Sequence, residues 1–80
     1  MRQSISAEGL SALVAVGAAW DVRAVPGPDG QGWQLQVRYS KESRHLPLRS
    51  RRELVRVFRS LDTLNRYAQS VGIRAFRVET

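Results

Sequence analysis

Between positions 38 and 59 the chain sets eight bases, Arg38, Lys41, Arg44, Arg49, Arg51, Arg52, Arg56 and Arg59, against two acids, Glu42 and Glu53. Guanidinium groups at this density suit phosphate, because each fork of N–H donors matches phosphodiester oxygens and a cluster neutralises several at once. If the segment folds into strands, Arg38 and Arg56 can fall on the polar face of one sheet while Arg44, Arg49, Arg51 and Arg52 line its edge and turns. Such a surface holds DNA by its backbone, since the sequence spells no recognition helix, ribbon or zinc finger that would read bases. The competing reading is a solvated basic face that keeps an edge strand from pairing with another chain.

The remaining chemistry-bearing residues offer less. His45 is the only histidine. It lies among bases with no nucleophile or carboxylate placed beside it by spacing, so it reads as a surface side chain and not a general base. Asp62 and Thr63 read as the first turn of a helix. The glycine-rich stretch 27–32 lacks the Lys-Ser/Thr ending and the strand-to-helix setting of a phosphate loop, which leaves a hairpin connection. Trp33 and Tyr39 could stack bases, yet they alternate in phase with Leu35 and Val37 and so read as core. Trp20 reads as a core or cap residue. With no cysteine in the chain, disulfides, zinc ribbons, iron–sulfur clusters and thiol nucleophiles are all removed. The expectation is a protein of reducing cytoplasm that is not an enzyme and carries no metal or cofactor.

The elements that would position these residues follow from periodicity. Ser4 or Ser6 can cap a helix over 6–17, with Glu8 in its first turn, a stripe of Leu10, Leu13 and Val14, and Gly17 as its stop. Strands are expected over 20–25 and 33–39, forming an antiparallel hairpin around a Pro/Gly loop. Residues 44–51 can add a strand that Pro47 confines to an edge or a bulge. Residues 51–71 are ambiguous. Ser50-Arg51-Arg52-Glu53 fits a capping box for one long helix, whereas β-branched Val55 and Val57 and a second cap at Ser60 favour a strand over 54–58 followed by a helix over 61–71. Gly72 would end that helix, and 73–78 would close the fold as a strand. The expected class is α+β, in the order α-β-β-β-β-α-β, with an antiparallel sheet of three to five strands. Trp33, Leu35, Val37, Phe58, Leu61, Leu64, Ala68, Ile73, Phe76 and Val78 are the expected core.

Eighty residues supply one core, so the chain reads as a single domain over 1–80. At 42% hydrophobic and 25% charged residues it has the composition of a folded chain and not of a disordered one. The net charge of +6 is unevenly spread: the first 37 residues sum to −1 and the remainder to +7. This imbalance points to a polyanionic partner or simply to solubility. The longest apolar run, 10–20, is about half the length that crosses a bilayer, so no membrane association is expected. A signal peptide over 1–19 is disfavoured by its single Arg2 and by Glu8 before the apolar stretch.

Gly32-Trp33 opening an alternating strand that ends Arg38-Tyr39, the block Arg56-Val57-Phe58-Arg59-Ser60-Leu61-Asp62-Thr63-Leu64, and the close Gly72-Ile73-Arg74-Ala75-Phe76-Arg77-Val78 together resemble the ParC-type partition-associated proteins of plasmids and integrating elements. The likeness covers roughly residues 20–79. It implies a cytoplasmic, non-enzymatic accessory to the maintenance of a mobile element, and it carries over no catalytic or ligand residues. Two functions are compatible with it. One is weak nucleic-acid binding through the arginine surface. The other is a protein-interaction module, either an adaptor to a partition component or an inhibitor of a host defence or nuclease system.

Overall fold

Ser6 opens the first helix by accepting the Gly9 N–H at 3.0 Å through its side chain, and α1 runs Ala7–Ala15. The computed structural model describes residues 4–40 and 43–80. Next come β1 (Trp20–Pro26), β2 (Trp33–Arg38), β3 (Leu46–Pro47), α2 (Leu61–Ser70) and β4 (Arg77–Val78). The α+β class follows from this order, one strand shorter than the sequence suggests.

Ser60 caps α2 in a reciprocal box with Thr63. The Thr63 N–H donates to Ser60 Oγ at 3.2 Å, and the Ser60 N–H donates to Thr63 Oγ1 at 3.3 Å. At the other end Gly72, at φ 95°, lets the chain reverse, so that Gly72 N–H meets the Gln69 carbonyl and Ile73 N–H meets that of Ala68. These two bonds make a Schellman closure, which needs the left-handed conformation that glycine adopts freely. The helix break between Arg59 and Ser60 therefore stands where the second cap puts it.

The sheet order is β3-β2-β1-β4. β2 pairs antiparallel with both neighbours, whereas β4 runs parallel to β1, the direction that a crossover through α2 imposes. Ala24, Leu35 and Val37 on the sheet pack with Leu10, Leu48, Phe58, Leu64, Ala68 and Ile73 into one buried cluster. Both helices thus contribute to one face, and the other face is left to Gln34, Gln36 and Arg38 with their cross-strand neighbours.

Four readings change. Residues 54–58 form no strand, and Phe58 alone bridges to Trp33. The reason is vacancy on β2. Val37 and Gln36 are already paired with Leu46 and Pro47, and the Leu35 carbonyl accepts the Leu48 N–H at 2.8 Å, which leaves only Trp33 for a second visitor. Ser50 and Glu53 do hydrogen-bond, but as a turn and not as a helix start. Val78, expected in the core, is 49% exposed because β4 is the outermost strand. Phe76, Trp33 and Leu61 are only partly buried against the core, while Leu10, Ala24 and Leu48 complete it.

Candidate nucleic-acid interface

The register of β1 on β2 decides what the open face of the sheet carries. Arg23 pairs with Gln36 and Ala24 with Leu35, but Trp20 pairs with Arg38, so Asp21 and Val22 together oppose Val37. This is a β-bulge, with Asp21 at φ 45° in the left-handed position that such bulges usually give to glycine. The extra residue shifts the phase of the strand. Trp20, which simple alternation would group with Val22 and Ala24 in the core, comes onto the face of Arg38 and is 40% exposed.

Asp21 organises this face. Its carboxylate lies 2.7 Å from Arg77, 3.2 Å from His45 Nε2 and 3.6 Å from Arg38. His45 Nε2 also donates to the Asp21 carbonyl at 3.1 Å. Burial works to raise the Asp21 pKa, but the Arg77 charge and hydrogen bond, with His45 and Arg38, outweigh it and hold the carboxyl below its ordinary range. His45 is therefore a half-buried partner of a carboxylate 24 residues away and not the surface side chain that spacing suggests. Beside it, Arg23 donates to Gln36 at 2.7 Å and to Glu79 at 3.1 Å, and Gln36 donates to Gln34 at 3.0 Å. Arg77 also pairs with Glu79.

The second basic zone is the excursion between Leu48 and Phe58. Arg51 and Arg52 are exposed at its tip, and Arg44 and Arg59 are exposed before and after it. Arg49 is half-buried and donates Nε–H to the Ser50 carbonyl at 3.1 Å. Arg56 is not on a sheet face with Arg38. Its guanidinium lies 4.7 Å from the ring centre of Phe58 and 4.9 Å from that of Tyr67, a cation–π stack at the edge of the core. Burial raises the Tyr67 pKa, against the pull of the Arg56 charge. Arg49, Arg51 and Arg56 line one concavity with Ser6, Glu8 and Ser50. Arg38 stands at the far end of β2 from the Trp33–Phe58 bridge, so the arginines among the described residues do not form one surface. Lys41 lies outside the described residues.

Ion pairing separates the two zones. Among the described residues, Arg23, Arg38 and Arg77 share the carboxylates of Asp21 and Glu79, while Arg44, Arg49, Arg51, Arg52, Arg56 and Arg59 make no ion pair. The sheet face was hidden from sequence reasoning because the bulge and the crossover assemble it. An aspartate following a tryptophan at a strand start is the sole local cue, since aspartate tolerates a positive φ better than most residues. Tyr39, read as core, is 54% exposed.

Among the described residues there is no cluster of three or more His, Asp or Glu able to hold a metal ion, and no helix long and apolar enough to cross a membrane. Comparison with protein-family models, curated proteins and solved structures finds no match.

Proposed function

We propose that this chain is a small accessory protein that holds nucleic acid by its phosphate backbone through Arg49, Arg51, Arg52, Arg59 and the edge of Arg56. One observation carries the reading. Between positions 43 and 59 six arginines stand against Glu53 alone, and none of the six is ion-paired among the described residues. Positive charge that is not held in an ion pair is available for phosphate, and releasing counterions from DNA supplies the driving force. In line with the resemblance to ParC-type proteins, the setting is the cytoplasm and the role is maintenance of a mobile element, without catalysis.

A second reading, contact with a partition or host protein, is favoured by Leu54 and Val57, each 47% exposed beside the same arginines. Fluorescence anisotropy with labelled duplex separates the two. At about 50 mM salt binding is expected with Kd in the range of roughly 1–100 μM, and Arg51→Gln with Arg52→Gln should reduce the slope of log affinity against log salt by about 1.8. No binding at low salt would leave the protein-contact reading in its place.

A further inference from the structure

We propose that the concavity between the start of α1 and the excursion from Leu48 to Phe58 is a site for a phosphomonoester, the terminal phosphate of a nucleic-acid strand, held by Arg49, Arg51 and Arg56. This rests on the nucleic-acid reading and adds to it a preference for phosphorylated ends over the interior of a strand.

The backbone assembles the site. Arg49 N–H donates to the Ile5 carbonyl at 2.9 Å and Arg56 N–H to the Leu48 carbonyl at 2.7 Å, so the residues before α1 and the two limbs of the excursion are fastened side by side. The three arginines thereby border one concavity of about 330 Å³ with Ser6, Glu8 and Ser50. Two of them are already fixed, Arg49 by its Nε–H on the Ser50 carbonyl at 3.1 Å and Arg56 by its stack on Phe58 and Tyr67. Cations held in place before binding lose little freedom when an anion arrives.

Charge argues for a monoester over an internal phosphodiester. Around the concavity three guanidinium groups stand against the single carboxylate of Glu8, and none of these four groups is ion-paired among the described residues. The excess of two positive charges matches a phosphomonoester, which carries about −1.5 to −2 at pH 7, and overshoots the single charge of a diester. Shape argues the same way, since a terminal phosphate can enter a recess that a continuous backbone must pass over. The Tyr67 hydroxyl gives a second, independent sign. It is buried without a hydrogen-bond partner, on the ring that Arg56 covers, and the charged groups acting on it are Arg56 and Glu8, both of which line the concavity. A buried donor left unpaired is costly, and a phosphate oxygen bound among these residues would satisfy it. Ser6 brings the first turn of α1 to the same place, where backbone N–H groups favour an anion.

The test compares, by fluorescence anisotropy at low salt and pH 8, hexathymidylate carrying a 5′-phosphate with 5′-hydroxyl octathymidylate of the same total charge, each labelled at its 3′ end. The phosphorylated strand should bind about tenfold more tightly, the worth of one added charge-assisted contact. The preference should shrink at pH 5, because the second pKa of a phosphomonoester is about 6 while arginine keeps its charge. Arg49→Gln with Arg51→Gln should abolish the preference, whereas Arg59→Gln, outside the concavity, should weaken both strands and keep it. Equal binding of the two strands, or a preference that survives Arg49→Gln with Arg51→Gln, overturns the site and leaves backbone binding intact. Displacement of the phosphorylated strand by an equal concentration of thymidine 5′-monophosphate, or of a phosphoserine peptide, overturns the strand end as the occupant in favour of a free nucleotide or a phosphorylated protein. If neither strand binds, the backbone reading fails and this site falls with it.

Discussion

The carboxylate of Asp21 and the guanidinium of Arg77 meet at 2.7 Å across the parallel edge of the sheet, tying the last strand to the bulge of the first. β4 has only two paired residues, so this ion pair adds a side-chain tie to its short ladder. Asp21→Asn keeps a residue that tolerates positive φ and removes the charge. Because the folded-state pKa of Asp21 is depressed, its stabilisation is present above its ordinary value of 3.8 and is lost as pH falls through the depressed one. Denaturant midpoints should therefore be lower for Asp21→Asn at neutral pH and converge with the parent in acid, once the pH has fallen through the depressed value. A gap that persists unchanged in acid would show that the charge is not responsible.

Leu64 is fully buried where α2 meets the sheet. Leu64→Ala should cost about 2–4 kcal/mol through lost transfer energy and the cavity left behind, read from urea titration. A loss below about 1 kcal/mol would mean that the face of α2 is placed wrongly.

Ser60→Ala removes the Oγ that accepts the Thr63 N–H and leaves only the backbone half of the box. The expected loss is about 1 kcal/mol, with amide exchange accelerated in the first turn of α2 and unchanged in β2.

Arg56 and Arg51 should behave differently although both are candidate phosphate ligands. Arg56→Ala gives up the stack on Phe58 and Tyr67 and should cost about 0.5–1 kcal/mol, whereas Arg51→Ala at an exposed tip should stay within about 0.5 kcal/mol of the parent. Thermal unfolding of the two variants side by side distinguishes an arginine that packs from one that only carries charge.

Local signals fixed the elements they belong to. The alternation from Trp33 to Val37, the cap at Ser60 and the stop at Gly72 are each written in neighbouring residues, and each appears as expected. What was not legible depends on distant pairing. The bulge at Asp21 changes the phase of β1 without changing its apolar content, so Trp20 leaves the core unannounced. Residues 54–58 carry a strand-like composition, but strandedness needs an unoccupied partner, and β2 had already been used. The arginines were identified from spacing, but their division into ion-paired and unpaired sets required knowing where Asp21 and Glu79 would lie.

The excursion from Leu48 to Phe58 is fastened to β2 at both ends, by the Leu48 N–H on Leu35 and by the reciprocal pair between Phe58 and Trp33 at 2.8 and 2.9 Å. Its tip, from Arg51 to Leu54, is exposed and contributes nothing to the buried cluster. A loop tethered in this way can be lengthened cheaply, since doubling its length adds only about 0.6 kcal/mol of closure entropy. The basic segment is in that sense a replaceable cassette: related or engineered chains could vary its length, charge and partner while inheriting the sheet beneath it unaltered.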